Sequence, residues 1–425
     1  MPSFSVRNFG CRVNQAEAFA WADAFRERGL RLDEDWGRSD IVIVNSCTLT
    51  GRAERDVRKF IRAVHRENER AKIVVTGCYA ERAPAEIAAL PGVAAVLPQS
   101  AKDELADRVA AIGAEASSPQ LTPEKSPDID TEPTFRARGW LKVQDGCDDR
   151  CTFCIIPSVR GRSRSVPAAE VAGAARDLAK RGFREIVIAG IHLSSYGEDL
   201  EPPTSLSSLL LGLSEAAGPA RLRVSSLDPR KTDAGLIAQI AADPRICRHF
   251  HFSLQHASGR ILGLMGRPVE TGSYEAILRE AARLAPDAAI GADLMVGFPG
   301  ETEADFEELK SFFERSPLTY AHVFSYSARP GTPAAKRRQV PSGVVTARAK
   351  ALRRAAALKD FAFRRRFMGR ELEAVVIGPT GQGVEALTGN FISVVVPACP
   401  ARKGAPVRIA VRKVLPARTE GEIVP

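Results

Sequence analysis

The sequence lacks any long hydrophobic run, and none of its apolar stretches approaches the roughly 20 residues that cross a bilayer. Its first residues also lack the basic, apolar and small-residue zones of a secretory signal, because a strand-like pattern begins at once. We therefore expect a cytoplasmic protein that makes no use of a membrane. Hydrophobic residues form 44% and charged residues 26% of the 425 residues, which is typical of a folded chain of about two to four domains.

The eight cysteines lack a pattern that suits disulfides. Thiols stay free in a reducing compartment, and six of the eight fall into two sets of three, which cannot pair internally. Metal or redox chemistry is the better interpretation. The other two, Cys247 and Cys399, have no such partners and are predicted to be small buried hydrophobic residues.

Positive charge is concentrated near the end of the chain. Residues 336–425 contain 18 Lys and Arg against 6 Asp and Glu, an excess of +12, whereas the whole chain carries +9. A basic module on a near-neutral body favours a polyanionic partner such as nucleic acid. A solvated basic surface is the alternative.

Strand and helix patterns alternate along most of the chain and predict an α/β fold. Continuous apolar strands at 4–6, 40–45 and 72–76, separated by helical spacing, indicate an N-terminal parallel α/β domain at 1–112. Residues 113–138 contain a stretch rich in Ser, Pro, Glu and Asp and are predicted to be a linker.

From 139 to 367 the alternation resumes with six strand and helix pairs, which suggests an incomplete (β/α)6 barrel. The predicted strands are 140–143, 185–189, 221–224, 249–254, 288–293 and 320–324. A doubly wound sheet is the structural alternative. Short strands with Gly and Pro turns at 368–425 predict a small C-terminal β-barrel.

Cys147, Cys151 and Cys154 form the strongest motif, CDDRCTFC, in a loop directly after a predicted strand. Three thiolates can ligate three irons of a four-iron cluster and leave the fourth iron open for a small molecule. The carboxyl ends of barrel strands are where active sites of such folds lie. A zinc site or an incidental cluster is the alternative, but zinc usually takes four protein ligands.

This motif in this place resembles the radical S-adenosylmethionine superfamily. The resemblance implies a [4Fe-4S] cluster that cleaves S-adenosylmethionine reductively to a 5′-deoxyadenosyl radical. It also implies cofactor contacts from residues that follow the later strands: Gly190, His192, Ser225, Ser253, Gln255, Gly297 and Gly300.

Cys11, Cys47 and Cys78 are far apart in sequence, but each follows a predicted strand of the N-terminal sheet. The carboxyl ends of parallel strands share one edge, so the three thiols can meet in one crevice. We expect them to hold a second iron–sulfur cluster, with buried structural thiols as the alternative.

Two such triads with a terminal β-barrel resemble the methylthiotransferase family of radical S-adenosylmethionine enzymes over essentially the whole chain. The resemblance implies that the N-terminal cluster handles sulfur, that the barrel cluster makes the radical, and that the terminal module is a TRAM domain that binds RNA. The segment FGCRVNQAE at 9–17 resembles the branch that methylthiolates C2 of threonylcarbamoyladenosine in tRNA. Ser46 departs from the usual Thr of that branch, and HAS at 256–258 replaces SGS.

The expected partners are therefore the anticodon loop of tRNA, S-adenosylmethionine and an electron donor such as flavodoxin or ferredoxin. Candidate RNA contacts, some of which could equally be solvated charges or barrel core, are Arg160, Arg162, Arg164, Lys336, Arg337, Arg338, Arg364, Arg365, Arg366 and Phe391. Three alternatives stay open: action on isopentenyladenosine in tRNA, action on an aspartate of a ribosomal protein, and a non-catalytic RNA-binding protein with structural metal sites.

Overall fold

A computed structural model describes residues 1–116, 136–269, 271–397 and 401–424. The predicted linker at 113–138 lies mostly outside the described residues, as does Cys399. Residues 113–116 belong instead to the last turn of a helix, because the apolar periodicity of the preceding residues continues through them.

The N-terminal unit is a five-stranded parallel sheet with helices on its faces. Its strands, which pair in the order β2-β1-β3-β4-β5, are β1 (Ser3–Asn8), β2 (Arg31–Leu32), β3 (Ile41–Ser46), β4 (Lys72–Gly77) and β5 (Val93–Leu97). Its helices are α1 (Arg12–Glu27), α2 (Gly51–Glu67), α3 (Cys78–Arg82), α4 (Pro84–Ala88) and α5 (Leu105–Ala116). The sequence pattern did not reveal β2, because a strand of two residues is too short to show an alternation of apolar and polar side chains. It did not reveal β5, because that strand is only partly buried.

The central unit contains the six predicted parallel strands in sequential order. The strands are β6 (Gly139–Asp145), β7 (Arg164–Ser165), β8 (Glu185–Gly190), β9 (Arg221–Val224), β10 (Ser226–Leu227), β11 (His249–Gln255), β12 (Ala289–Val296) and β13 (Tyr320–Ser325). The third predicted strand, 221–224, is β9, and Ser225 separates it from the two-residue β10. Strand β7 is a short antiparallel addition beside β6. Neighbouring strands follow chain order, as in a barrel, whereas a doubly wound sheet reverses its order at a switch point. The fold-class prediction is therefore confirmed, and the doubly wound alternative is excluded.

The helices of the central unit are α6 (Ile156–Arg160), α7 (Ala168–Lys180), α8 (Leu206–Ala216), α9 (Ala234–Ala242), α10 (Gly259–Leu264), α11 (Thr271–Leu284), α12 (Glu303–Arg315) and α13 (Ser342–Arg365). They cover the outer face of these strands, except for α6, which lies beside the cysteines. Strand residues alternate in direction, so Phe250 and Phe252 enter the apolar core beneath the helices. His249 and His251 point to the opposite, inner face.

The C-terminal unit is a closed five-stranded barrel, as predicted. Its strands are β14 (Glu371–Thr380), β15 (Gly383–Thr388), β16 (Ser393–Val396), β17 (Pro406–Leu415) and β18 (Arg418–Val424). The sequence pattern missed β18, because most of its side chains are polar and partly exposed.

The terminal barrel is joined to the central strands through buried polar contacts. Arg223 pairs with the fully buried Glu185 at 2.7 Å and also donates to the Thr388 carbonyl at 3.0 Å. Phe391, held at φ +64°, stacks on His249 with 4.2 Å between ring centroids. Its ring thus contributes to this joint, and a contact of Phe391 with an RNA base stays a prediction.

We predict that Glu185→Gln destabilises the protein. Arg223, Arg138 and Arg221 hold the pKa of Glu185 at about 2 despite its burial, which alone would raise it. Against the ordinary value near 4.5 this depression corresponds to roughly 3 kcal/mol of stability. That stability is present above about pH 4.5 and is lost as pH falls towards 2. Urea unfolding at a series of pH values measures it.

Glu371→Gln is the matched control, because Glu371 pairs with Arg408 at the surface. Its unfolding free energy should change by less than about 0.5 kcal/mol at every pH. Equal losses in the two variants would contradict a special role for the buried joint.

Candidate functional site

Three cysteines lie at one edge of the N-terminal sheet. Cys11 caps the start of α1, Cys47 follows β3, and Cys78 begins α3 directly after β4. Because β1, β3 and β4 are parallel neighbours, their carboxyl ends share that edge. The thiols are free and lie within electrostatic range of one another. Residues that are 67 positions apart in sequence thus face one crevice.

Two asparagines and a glycine shape this crevice. Asn14 Nδ2 donates to Asn45 Oδ1 at 2.9 Å and to the Ser46 carbonyl at 3.1 Å, so the start of α1 is tied to the end of β3. Gly77 has φ +95°, and a Cβ atom there would lie 2.4 Å from the Ser46 carbonyl oxygen. Only glycine allows this close turn into Cys78.

Burial dominates the acid–base behaviour of these thiols. It raises the pKa of Cys47 to about 12, and the nearby Cys78 and Cys11 thiols add to the rise. Burial also raises the pKa of Cys11, although the Arg160 guanidinium opposes it. The Cys11 and Cys47 thiols are therefore protonated at neutral pH, and a bound metal cation would displace those protons.

A second triad lies in the loop that leaves β6. It consists of Cys147, Cys151 and Cys154, all free. Gly146 turns into the loop at φ +69°, where a Cβ atom would lie 1.9 Å from the Arg162 carbonyl oxygen. Thr152 anchors the middle of the loop by donating from its amide to the Met265 carbonyl at 2.9 Å and from Oγ1 to the Leu264 carbonyl at 2.8 Å.

Burial raises the pKa of Cys147 to about 11 and that of Cys154 to about 12. Three converging sulfur donors in each triad suit iron or zinc. The described residues leave no fourth cysteine beside either triad, since the remaining described thiol, Cys247, lies against Glu185. Each triad thus fits an iron–sulfur cluster with one open iron better than a closed zinc site.

The two triads face each other across a small apolar cluster. Cys78 of the first triad packs with Ile155, Ile156 and Val159, and Cys147 and Cys154 of the second triad pack against the same side chains. Apolar walls exclude water and strengthen electrostatic interactions between groups on either side.

Arg160 clamps the two triads together. Its Nε donates to Cys78 Sγ at 3.3 Å, Nη1 donates to Asp145 at 2.8 Å and to Glu17 at 3.1 Å, and Nη2 donates to Asn14 at 2.7 Å. The structure corrects the expectation that Arg160 contacts RNA. Its side chain is 3% exposed, and protein acceptors surround the guanidinium.

Asp228 connects the cysteine loop to the third strand. Its carboxylate accepts from Arg230 Nη2 at 2.6 Å and Arg267 Nη2 at 3.0 Å, and lies 3.1 Å from His192 Nε2. Arg230 also pairs with Asp149, which lies between the first two cysteines of the loop. Burial would raise the pKa of Asp228, but hydrogen bonds from His192 and Arg230 hold it well below its ordinary range.

The sequence reasoning missed Asp228, Arg230 and Arg267. The segment SSLDPR at 225–230 offered a signal, because an acidic residue followed by a basic one comes directly after a strand. Arg267 stands alone in the sequence and offered none. Its Nη1 lies 3.7 Å from Cys151 Sγ, so it places a buried positive charge beside the second triad.

The predicted cofactor residues lie at or just beyond the carboxyl ends of the central strands. They are Gly190, His192, Ser225, Ser253, Gln255, Gly297 and Gly300. The Oγ atom of Ser225 is buried without a hydrogen-bond partner among the described residues, and so is Arg267 Nε. A buried polar atom without a partner is costly, so a polar ligand at this rim would satisfy both. The site therefore fits a polar cofactor.

The other predicted RNA-contacting arginines divide into two groups. Arg364 is buried and donates to the Leu415 carbonyl at 2.9 Å and the Pro416 carbonyl at 2.7 Å, so it joins α13 to the terminal barrel and the expectation of an RNA contact is corrected. The exposed residues, whose RNA contacts remain a prediction, are Arg162, Arg164, Lys336, Arg337, Arg338, Arg365 and Arg366.

An open face that the sequence reasoning missed runs along β12 and β13. Phe324 is 45% exposed there, although large apolar side chains usually avoid water. It lies opposite Met295, and the exposed His322 lies opposite Asp293, in the register of the two strands.

No helix among the described residues is long and apolar enough to span a membrane.

Residues 3–98 match the model of a family described as uncharacterized protein family UPF0004, and residues 141–313 match that of the radical SAM superfamily. Threonylcarbamoyladenosine tRNA methylthiotransferase MtaB of Aquifex aeolicus is 34% identical over 403 residues, which cover 92% of this chain and 95% of that protein.

The chain belongs to the radical S-adenosylmethionine methylthiotransferase family. This confirms the family predicted from the sequence. Two further members give the breadth of the family: MtaB of Thermotoga maritima is 32% identical over 87% of this chain and 86% of that protein. Ribosomal protein uS12 methylthiotransferase RimO of Saccharopolyspora erythraea is 36% identical over 77% of this chain and 74% of that protein.

A solved structure supports the fold of this methylthiotransferase. The radical S-adenosylmethionine methyltransferase TsrM of Kitasatospora setae, with cobalamin and a [4Fe-4S] cluster bound, superposes with a TM-score of 0.56 at 15% identity. The match covers 79% of this chain and 77% of that one.

We predict that Arg160→Met destabilises the methylthiotransferase by about 3–5 kcal/mol, because it leaves buried carboxylates short of a partner. Chemical unfolding of the reconstituted protein measures the loss. Arg162→Met is the control two residues away, since the Arg162 side chain is 90% exposed and its ion pair with Asp148 lies at the surface. It should change stability by less than about 1 kcal/mol. A small change in the free energy of unfolding for both variants would show that Arg160 does not hold the two triads together.

Proposed function

We propose that the protein adds a methylthio group to C2 of N6-threonylcarbamoyladenosine, at the position 3′ to the anticodon of tRNA. The observation that carries the proposal is the approach of two free cysteine triads across one apolar cluster. One site can then supply the sulfur group while the other activates the substrate. The segment FGCRVNQAE at 9–17 and the MtaB relatives, which match up to 92% of the chain, support this substrate.

Each triad is proposed to hold a [4Fe-4S] cluster. The rim of the central barrel is proposed to bind S-adenosylmethionine. When bound, these groups supply an electron, a carbon radical and a methyl group, which an unreactive C–H carbon requires and ordinary side chains cannot provide. The rim residues Ser225 and Arg267 offer donors for the amino acid part of the cofactor.

The protein's own residues orient and protect these groups. Arg160 and Arg267 each place a buried guanidinium beside a cysteine sulfur, at Cys78 and Cys151 respectively. Asp228 fixes Arg267 and Arg230, and through them the loop that carries the second triad. The isoleucines between the triads keep water from the space where the groups would meet.

We propose that the three units divide the work. The N-terminal unit (1–112) would carry sulfur, the central unit (139–367) would generate the radical, and the terminal barrel (368–425) would bind tRNA in the manner of a TRAM domain. The exposed arginines and lysines would contact phosphates, which position a nucleic acid without reading its sequence. The protein would act in the cytoplasm, with a flavodoxin or ferredoxin as electron donor.

We predict that removing the gene abolishes the methylthio group on threonylcarbamoyladenosine. Nucleoside mass spectrometry of tRNA from cells with and without the gene measures it, and the unmethylthiolated nucleoside should accumulate. As a control, the deletion strain is complemented with a gene that carries Cys11→Ala. This restores the protein but should not restore the methylthio group. Loss of the group from isopentenyladenosine, or of a methylthio mass from a ribosomal protein, would overturn the substrate.

We predict that the two triads fail in different ways when replaced by alanine. Without Cys147, Cys151 and Cys154, the anaerobically reconstituted protein should form no 5′-deoxyadenosine. Without Cys11, Cys47 and Cys78, it should still form 5′-deoxyadenosine but transfer no methylthio group. Each triple variant should lose half of the iron.

Cys247→Ala is the matched control, because Cys247 is a buried free thiol outside both triads. It should keep the iron and both activities. Formation of 5′-deoxyadenosine without the second triad would refute its role, and wild-type iron sufficient for one cluster only would refute the two-cluster proposal.

A further inference from the structure

A network of polar side chains lines the inner face of β11, β12 and β13. His251 Nε2 and His322 Nδ1 lie 3.1 Å and 3.3 Å from the same oxygen of Asp293. Tyr320 Oη lies 2.7 Å from His249 Nε2 and 2.9 Å from His251 Nδ1. The inner face is thus polar below the strand ends.

One cation reaches this face from the other unit. Arg12 is the first residue of α1, beside Cys11, and its guanidinium lies within electrostatic range of Tyr320, Asp293 and Arg223. Its Nη1 is buried, and no described residue accepts a hydrogen bond from it. The described part of the chain also offers no carboxylate within 4.0 Å of Arg12. A buried guanidinium donor without an acceptor is costly, so a ligand that supplies an acceptor would stabilise this arrangement.

The positive charge of Arg12 favours an anionic ligand, since the carboxylate of Asp293 is already contacted by His251 and His322. His251, Asp293 and His322 offer the donor set of a two-histidine, one-carboxylate metal site, with ligand atoms within 4.8 Å of one another. However, both imidazoles already contact the one carboxylate, and the guanidinium of Arg12 repels a divalent cation. A carboxylate, by contrast, matches the planar fork of arginine with two parallel hydrogen bonds.

The position matches the proposed substrate. Ser253 lies two residues beyond His251 on the same inner face. Its carbonyl accepts a hydrogen bond from Arg267, which also contacts Cys151 of the second triad, so Ser253 lies near that triad. Two strand residues rise by about 7 Å, which an extended carbamoyl-amino-acid group can cover. An adenine at the strand ends would therefore direct a substituent on N6 towards Arg12.

We propose that Arg12 is the specificity-determining residue that binds the carboxylate of the threonylcarbamoyl group. This proposal rests on the proposed function, and it explains why a cation stands unpaired beside the sulfur site. It assigns Arg12 to substrate recognition, whereas the adjacent Cys11 is assigned to the cluster.

The test compares three anticodon stem-loop RNAs with the reconstituted protein. They carry threonylcarbamoyladenosine, its carboxyl methyl ester, or plain adenosine. The wild type should bind the acid at least about tenfold more tightly than the ester, since a buried charge-assisted pair is lost. Equal binding of acid and ester by the wild type would overturn the proposal without any variant.

Arg12→Gln should weaken binding of the acid by about the same factor as esterification and should bind acid and ester equally. Binding of the plain adenosine RNA should stay unchanged, and Arg12→Lys should restore most of the preference for the acid. The control is Arg38→Gln, because Arg38 is 82% exposed. Iron content is measured for each variant, so that loss of a cluster is separated from loss of recognition.

Other outcomes separate failure of the Arg12 proposal from failure of the proposed function. If the wild type methylthiolates the acid RNA but Arg12→Gln still distinguishes acid from ester, the role of Arg12 is wrong and the proposed function holds. If the wild type acts on none of the three RNAs, the proposed function is wrong. A bound metal in addition to the clusters, lost in His322→Ala, would replace the carboxylate site by a metal site.

Discussion

The structure depends on one buried guanidinium. Arg160 leaves α6, shortly after the second triad, and reaches residues that adjoin three of the cysteines. Asp145 stands two positions before Cys147, Asn14 three positions after Cys11, and the Nε atom of Arg160 contacts Cys78 itself. Lysine could not replace it, since only the rigid fork of arginine directs several donors in fixed directions. Arg160 therefore ties residues beside both cysteine triads to one another through a single side chain.

Much of the fold could be predicted from the sequence, because its strands are apolar, of normal length and regularly separated by helices. Both triads could be found for the same reason. The CDDRCTFC spacing places three thiols in one loop, and the edge shared by parallel strands brings Cys11, Cys47 and Cys78 together. Short or polar strands such as Arg31–Leu32 and Arg418–Val424 carried too little pattern to be recognised.

The roles of individual arginines could not be predicted, because charge counts do not distinguish a buried cation from a solvated one. Arg160 pairs with Glu17, which is 143 residues away, and Arg223 donates to a carbonyl 165 residues away. Such partners depend on the packing of whole units against each other. Arg12 shows the same limit. In the sequence Arg12 was only part of a motif, whereas in the structure its buried Nη1 atom has no hydrogen-bond partner among the described residues.

The joint between the central strands and the terminal barrel has a mechanical consequence. Phe391 stacks on His249, Arg223 donates to carbonyls of the barrel, and Arg364 ties α13 to its last strands. These contacts fix the position of the barrel relative to the central strands. A ligand bound to the barrel would therefore lie at a set distance from the cysteine sites, and that distance would limit the size of ligand that reaches both.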